Sequence, residues 1–383
     1  MAIAWGRMTG SMTSRDRLNA ALEHRDGDAV PVDLGGIVTG IAVIAYERLR
    51  ERLGLEGNTV VMDPKQQLAW PDERVLERIG IDTRYILPGA RDGWKLSIKE
   101  DDSGFTYADE WGIKLRMPRG GLYFDMEEHP LSTATQDDLD AYEWPDPYDP
   151  GLVRGLRERA RELNESTDYG VVAWASGSIF ERSWYLRGLQ RFFVDMMSNQ
   201  GFAEALLDKL LEINMAFLGE YLGAIGNHIQ VIQLADDLGH QQGPLMPLDL
   251  YRRLIKPRQR ELFRFVKDRT DARLFYHCCG SIRQFIPDLI EIGVDILNPV
   301  QASARDMDPV VLKAEFGDRL TFWGGVNTQS VLPRGSPDEV LIEARRRIGE
   351  LGNGGGYVLG SVHNIQADVP PENIIAMYRA KSA

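Results

Sequence analysis

Cysteine is nearly absent from this chain of 383 residues, which has only Cys278 and Cys279. Two adjacent cysteines cannot form a disulfide framework, and no apolar segment typical of a cleaved signal peptide stands at the N-terminus. We therefore expect a protein of a reducing, cytoplasmic compartment. Long apolar runs are also lacking. None approaches the roughly 20 residues that span a bilayer, so a membrane-spanning protein is not expected.

Positive charge is in short supply as well. The chain has 57 Asp and Glu against 44 Lys and Arg, which gives a formal net charge of -13 at pH 7. Nucleic acids and anionic membrane surfaces both attract basic footprints, so this excess of acidic groups argues against either as the main partner. The composition is that of an ordinary soluble globular enzyme, and the length suits two domains or one large α/β barrel.

Strand-like and helix-like patterns alternate along most of the chain. Strand-like runs lie near residues 31, 82, 171, 230, 274, 295, 320 and 357. Eight strand–helix units are the count of a (β/α)8 TIM barrel, so we predict an α/β fold of this type. Residues 12–383 would form a single barrel domain. Residues 1–11 fit no periodic pattern and are expected to be a disordered or upstream leader.

Two additions to the barrel are predicted. A capping-box sequence at residues 13–16 opens an amphipathic helix to about His24, which is an N-terminal helical extension. Between about residues 94 and 131, alternating residues and glycine turns replace the strand–helix pattern and predict a β-hairpin insertion. This insertion is expected to serve as a lid, as a dimer arm or as a purely structural element.

Polar residues follow several of the predicted strands. Asp236, Asp237 and His240 come after the fourth strand, and Asn298 and Gln301 come after the sixth. Active sites of TIM barrels lie at the C-terminal ends of the strands, so these five residues are candidates for catalysis. Two adjacent carboxylates also form turns and helix caps, and this structural role stays open for the aspartates.

The fifth predicted strand ends at His277-Cys278-Cys279. Side chains at i and i+2 of a strand point the same way, so His277 and Cys279 would share one face, with Cys278 on the other. Imidazole and thiolate are the ligands that zinc prefers. His363, after the eighth strand, would complete a three-ligand site with an open position. Cys278 and the two aspartates are alternative ligands, and a buried cysteine beside a hydrogen-bonded histidine is the alternative without metal.

Several stretches in this order resemble the uroporphyrinogen decarboxylase superfamily, and they extend from Met12 almost to the C-terminus. The stretches are Thr13-Ser14-Arg15-Asp16-Arg17, Ala29-Val30-Pro31-Val32-Asp33, Ala235-Asp236-Asp237-Leu238-Gly239, Gly243-Pro244-Leu245, Ile255-Lys256-Pro257, Tyr276-His277-Cys278-Cys279-Gly280, Gly293-Val294-Asp295-Ile296-Leu297-Asn298-Pro299-Val300-Gln301, Trp323-Gly324-Gly325-Val326-Asn327-Thr328-Gln329 and Pro370-Pro371-Glu372-Asn373-Ile374. The resemblance implies the same barrel fold.

Decarboxylases of this superfamily have an arginine-rich motif just after the first strand, but residues 33–40 of this chain include no arginine. The chain is more similar to the branch of zinc methyltransferases that move a methyl group between a corrinoid protein and a thiol or another acceptor. The His-x-Cys pair of that branch falls on His277 and Cys279, and its later cysteine falls on His363.

The methyltransferase resemblance implies a zinc cofactor, methylcobalamin on a corrinoid partner protein and a small methyl donor or acceptor. It also allows a homodimer. Two alternatives stay open, namely a metal-independent tetrapyrrole decarboxylase or lyase, and a non-catalytic binding protein of the same fold. No Gly-x-Ser-x-Gly elbow of a serine hydrolase is present.

Overall fold

The structure, a computed structural model, describes residues 12–382, so the predicted leader at residues 1–11 lies outside the described residues. The strands are β1 Val60–Asp63, β2 Leu68–Trp70, β3 Thr83–Ile86, β4 Lys99–Asp101, β5 Gly104–Ala108, β6 Lys114–Pro118, β7 Asp125–Glu128, β8 Gly170–Ser176, β9 Val231–Ala235, β10 Gly239–His240, β11 Gly243–Pro244, β12 Arg273–His277, β13 Ile296–Asn298, β14 Thr321–Trp323 and β15 Tyr357–Val358.

The α-helices are α1 Ser14–Leu22, α2 Val43–Arg52, α3 Glu73–Ile79, α4 Gln136–Ala141, α5 Leu156–Ser166, α6 Phe180–Arg187, α7 Leu189–Ser198, α8 Gln200–Ile225, α9 Leu248–Leu250, α10 Lys256–Lys267, α11 Ile286–Glu291, α12 Pro309–Phe316, α13 Val331–Arg334, α14 Pro337–Leu351 and α15 Pro371–Arg379. None of the helices within residues 12–382 combines the length and the apolar character needed to cross a lipid bilayer.

One parallel sheet organises the fold, with the strand order β15-β14-β13-β12-β9-β8-β3. The predicted first strand is reduced to a single parallel bridge between Val32 and Leu359. On its other side, the backbone N–H of Asp82 donates to the carbonyl of Val32 at 2.9 Å. This segment therefore stands between the end of β15 and the start of β3 and closes the sheet. The prediction of a (β/α)8 barrel is confirmed.

The barrel interior is filled by apolar side chains from successive strands. These inward-facing side chains are Tyr85, Val172, Val231, Phe275, Ile296, Trp323 and Val358. Leu18 and Leu22 of α1 pack against the same cluster, so the predicted N-terminal helix covers the end of the barrel opposite the strand C-termini. The Thr13 side chain accepts from the N–H of Asp16, which is the predicted capping box. A larger apolar core lies between the strands and the outer helices.

The predicted hairpin insertion is a four-stranded antiparallel sheet, β4 to β7. The ring of Tyr107 packs edge-on against Phe124 with centroids 4.9 Å apart, and the N–H of Phe124 donates to the carbonyl of Lys65 at 2.8 Å. The insertion therefore packs against the short hairpin β1–β2, which the sequence patterns did not predict. The strands of that hairpin are only three and four residues long, which gives too little alternation to detect.

Glycine determines one of the helix boundaries outside the barrel. Gly188, which has a φ of 87°, lies between α6 and α7. A positive φ at this position ends α6 and changes the direction of the chain.

A buried ion pair holds the segment that contains α6. The Nε of Arg187 donates to Asp195 Oδ2 at 2.7 Å, and both side chains are 1% exposed. The guanidinium also donates to the carbonyls of Leu131 and Ala134, and it lies over the ring of Phe202 at 4.1 Å. This one side chain thus connects α6, α7 and α8 to the segment that follows the insertion.

We predict that Arg187→Met lowers the free energy of unfolding by about 3–5 kcal/mol, because the buried Asp195 carboxylate loses its closest partner and keeps only the longer contact with Arg191, at 3.7 Å. Urea denaturation is the measurement. Arg159→Met is the matched control, since Arg159 pairs with Glu162 on the exposed face of α5 and such pairs contribute little. Equal losses in the two variants would contradict the assignment.

Candidate metal centre

Three side chains from two parts of the chain meet at the C-terminal end of the barrel. His277 is the last residue of β12, Cys279 follows two residues later, and His363 belongs to the segment after β15. One potential ligand atom from each lies within 4.8 Å of the others. The Nε2 of His277 lies 3.3 Å from Cys279 Sγ, and the two imidazole rings have centroids 5.2 Å apart.

Cys278, the alternative ligand, faces the other way. It is fully buried, and its Sγ accepts from the backbone N–H of Leu238 at 3.2 Å. Gly280 ends the motif at a φ of 87°, and a Cβ added there would lie 2.6 Å from the backbone of Gly239 and His240. The close approach of these two loops therefore requires glycine and fixes the course of the chain after Cys279.

Asn298 determines which nitrogen of His277 is available. The Asn298 side-chain nitrogen donates to the carbonyl of Trp323 at 3.0 Å, so its oxygen Oδ1 faces His277 Nδ1, at 2.5 Å. The Nδ1 of His277 must then have the proton, and the lone pair of Nε2 points toward Cys279 and His363. A histidine held in this way is typical of metal ligands.

Burial keeps both imidazoles neutral. It lowers the pKa of His277 to about 4, against the opposing effect of the hydrogen bond to Asn298. It also lowers the pKa of His363 to about 3, and the proximity of His277 adds to that shift. Neutral imidazole is the form that binds metal, so both histidines are in the required state at neutral pH.

In the absence of a cation, the surroundings of Cys279 disfavour the thiolate form of its side chain. Burial raises its pKa well above the usual value, and the neighbouring Asp237 carboxylate raises it further. Asp237 Oδ1 accepts from the backbone N–H of Cys279 at 2.7 Å. A divalent cation held by the triad would reverse this balance, because coordination would deprotonate the thiol and the nearby carboxylate would favour the cation.

The donor set fits zinc. Two imidazoles and one thiolate are typical of zinc sites, and ligand atoms around tetrahedral zinc are about 3.4–3.7 Å apart at normal bond lengths. The sulfur–nitrogen distance of 3.3 Å between Cys279 and His277 is already close to that value. All three ligand atoms lie within 4.8 Å of one another, so each pair is within about 1 Å of that spacing.

The triad lies between two cavities. A cavity of about 670 Å³ is lined by His277 and His363, by the insertion and by the start of α6. A second cavity of about 270 Å³ is lined by Cys279 and His363 together with the amide side chains of Gln241, Gln301, Asn327 and Gln329. His363 therefore lines both cavities, whereas His277 faces only the larger one and Cys279 only the smaller one.

The other predicted catalytic residues occupy different positions. Asp236 lies apart from the triad, because its carboxylate accepts the N–H groups of Ile179, Phe180 and Glu181 and caps α6. Asp237 lines the larger cavity beside Cys279.

Two predicted residues line the smaller cavity. His240 is exposed there, and its ring nitrogen Nδ1 accepts from the N–H of Gln242 at 3.4 Å. The Gln301 side chain accepts from the N–H of Gly280 at 2.9 Å and donates to Gln241. The amide of Gln301 thus holds the loop that contains Cys279.

Sequence reasoning missed the polar wall of the larger cavity. Glu181, Arg182 and Tyr185 of α6 line it, and so does Lys65 from the turn before β2. Burial raises the pKa of Glu181 to about 7, with Asp237 as the second cause, and its carboxylate accepts from the Tyr185 hydroxyl. Positions 181 and 185 are one turn apart on the helix after a barrel strand, which is the signal that could have identified them.

The chain was compared with known proteins. A family model for uroporphyrinogen decarboxylase (URO-D) matches residues 105–382. Among solved structures, a methyltransferase from Methanosarcina mazei is similar over 97% of this chain and 99% of that chain, with 20% identity and a TM-score of 0.64. At this identity the likeness shows a shared fold.

Two other solved structures are less similar to this chain. Native xylanase 10B from Thermotoga maritima has 10% identity and a TM-score of 0.37 over 67% of this chain and 83% of that chain. A beta-glucosidase mutant derived from a hyperthermophilic tetrameric structure has 8% identity and a TM-score of 0.45 over 93% and 95%. No curated protein sequence matches the chain.

We predict that the protein purified without chelator contains about one zinc ion per chain, and that Cys279→Ala and His363→Ala each lose it. Elemental analysis is the measurement. Cys278→Ala is the matched control, because its thiol is adjacent in sequence but faces Leu238, and it should retain the metal. Zinc lost from Cys278→Ala and kept by Cys279→Ala would contradict the assignment.

We also predict that Asn298→Ala weakens zinc binding by about 10- to 100-fold, because the His277 ring loses the acceptor that fixes its tautomer. Competition with a chromogenic zinc chelator gives the dissociation constant. Asn327→Ala serves as the control, since Asn327 lines the smaller cavity and its side-chain oxygen accepts from Gln329 and Ser330 of its own loop. Unchanged zinc affinity in Asn298→Ala would rule out this positioning role.

Proposed function

We propose that this chain, which belongs to the uroporphyrinogen decarboxylase family, is a zinc-dependent methyltransferase. It would move a methyl group between a small methylated substrate, a thiol or another acceptor and a corrinoid protein. The observation that carries the proposal is the meeting of His277, Cys279 and His363 between two cavities. The similarity of the fold to a methyltransferase from Methanosarcina mazei supports the same class of reaction.

Three protein ligands with an open fourth position are typical of catalytic rather than structural zinc. Zinc bound there supplies a Lewis acid that lowers the pKa of an acceptor thiol or stabilises the leaving group of a methylated substrate. The chain itself provides the orientation. Asn298 directs the Nε2 lone pair of His277 toward the site, and Asp237 holds the backbone of Cys279.

The two cavities suit two reactants. The larger cavity has the volume of a typical small-molecule site, and residues of the insertion form part of its wall. The smaller cavity ends at exposed residues such as His240 and Gln329. We assign the larger cavity to the methylated substrate and the smaller one to the side from which the corrinoid protein approaches. His240 and Gln301 then act at the partner side.

His363 replaces a second thiolate with a neutral ligand, and this affects the choice of substrate. A zinc ion with one thiolate is less electron-rich than a zinc ion with two, so it is a stronger Lewis acid. Such a site favours activation of an oxygen or nitrogen leaving group. We therefore favour demethylation of a methoxy or methylamine compound over methylation of a thiol.

Decarboxylation of a tetrapyrrole is disfavoured by the wall of the larger cavity. Ile37 and Val38 line it in the segment where decarboxylases of the family have arginines. A substrate with many carboxylates needs several cationic groups free to pair with it. Two cations of this cavity, Arg91 and Arg182, already face Glu110 and Asp109.

We predict that the zinc-loaded protein transfers a methyl group from methoxy or methylamine compounds to free cob(I)alamin, which stands in for the corrinoid protein. The change in cobalamin absorbance reports the transfer. Cys279→Ala should lose the activity because the metal is lost, whereas Cys278→Ala should keep it.

Two outcomes would contradict this proposal. Transfer from a thioether but from no methoxy or methylamine compound would overturn the preference for oxygen or nitrogen leaving groups. Decarboxylation of uroporphyrinogen by the metal-free protein, without any methyl transfer, would favour the lyase alternative instead.

A further inference from the structure

Lys65 lies in the wall of the larger cavity, on a turn whose hydrogen bonds do not involve the Lys65 ammonium group. The backbone N–H of Lys65 donates to Asp63 Oδ1 at 2.8 Å, and its carbonyl accepts from Phe124 at 2.8 Å. The next side chain, Gln66, accepts from Asn364 at 3.0 Å. Since Asn364 follows His363, the turn is tied to the segment that provides a potential metal ligand.

The Lys65 ammonium has no anionic partner within residues 12–382. In this part of the chain, no carboxylate oxygen lies within 4.0 Å of the Lys65 Nζ. The Nζ lies 4.1 Å from the centroid of the Tyr185 ring. The other cations of this wall differ. Arg91 pairs with Glu110, and Arg182 lies 3.8 Å from Asp109.

This unpaired cation lies in a partly dehydrated place. Burial lowers the pKa of Lys65, and the carboxylates of Glu181, Asp63 and Asp109 oppose that shift. Removal of an ammonium group from water is unfavourable unless an anion compensates it. The turn is fixed by its backbone, so the ammonium is not needed to hold it, and the Tyr185 ring is its close contact. No carboxylate of the cavity wall forms a salt bridge with it, and a bound anion would supply that partner.

The other side chains of the cavity wall indicate what kind of molecule fits beside Lys65. Six aromatic side chains contribute to the wall, and they are Trp94, Tyr107, Trp111, Trp174, Tyr185 and Phe217. Such surfaces accommodate an apolar body, with a few polar groups to fix its orientation. The guanidinium of Arg182 already lies over the rings of Trp111 and Tyr185, at 4.8 and 5.5 Å, so a cationic ligand is not favoured on these faces.

We infer that Lys65 binds a carboxylate of the methylated substrate, whose methyl group lies toward His277 and His363. The inference rests on the proposed function and narrows it to methylated acids with a single anionic group. The substrate thus differs from the many-carboxylate tetrapyrroles, because only one cation of this cavity is left without a partner.

Binding is tested by isothermal titration of the full chain with three methoxy acids, methoxyacetate, 3-methoxypropionate and 4-methoxybenzoate, and with the neutral amide of each. We expect at least one acid to bind about 10- to 100-fold more tightly than its amide, which is the range for a hydrogen bond to a charged group. Lys65→Met should abolish this preference, and Lys65→Arg, which keeps the charge, should retain it.

Lys99→Met is the matched control, because Lys99 is exposed on β4 of the insertion and does not line the cavity. The zinc content and unliganded melting temperature of Lys65→Met show whether the variant is folded. No preference for any acid over its amide, or an equal preference in wild type and a folded Lys65→Met, would overturn the inference.

The titrations are run with and without added zinc, because Lys65 is not a ligand of the triad. If an acid binds through Lys65 but no methyl transfer occurs, the methyltransferase proposal fails and the anion site stands. If methyl transfer occurs from neutral compounds and no acid is preferred, the anion site fails and the methyltransferase stands.

Discussion

Closure of the parallel sheet is the constraint on which the candidate site depends. The bridge between Val32 and Leu359 joins the first and last segments of the barrel. Just beyond it, Ser361 pairs with Val326 and Ile365 pairs with Ile41, so the segment between them is fixed on both sides. His363 lies within that segment and is held at the barrel end near His277. Without this closure, nothing would hold His363 beside His277, which lies 86 positions earlier in the chain.

Low solvent access at this barrel end then determines the chemistry. The same burial that keeps His277 and His363 neutral also raises the pKa of Asp237 to about 6 and that of Glu181 to about 7. Burial thus shifts both the basic imidazoles and the acidic carboxyl groups toward their uncharged forms. A divalent cation at the triad would suit this arrangement, because it would accept the imidazole lone pairs and give the Cys279 thiolate and the carboxylates a counter-charge.

The barrel and the convergence of the three potential ligands were accessible from the sequence, because strand periodicity and the strand-end rule apply to any regular strand–helix repeat. The separate roles of Asp236 and Asp237 were not. Adjacent carboxylates look alike in sequence, and only the backbone directs one to the amides of α6 and the other to Cys279. Lys65 lies on an irregular turn outside the repeat, so no periodic pattern indicated its position in the cavity.

The single thiolate and the unpaired lysine affect the electrostatics of the cavity in the same direction. Under the proposed function, zinc held by two neutral imidazoles and Cys279 would keep one net positive charge, whereas a second thiolate in place of His363 would cancel it. The Lys65 ammonium lies in a wall of the same cavity. Both charges favour an anionic substrate, and Glu181 and Asp237 limit how much negative charge the cavity tolerates. A methylated acid with one carboxylate satisfies both conditions, whereas a substrate with many carboxylates exceeds what these two positive charges can balance.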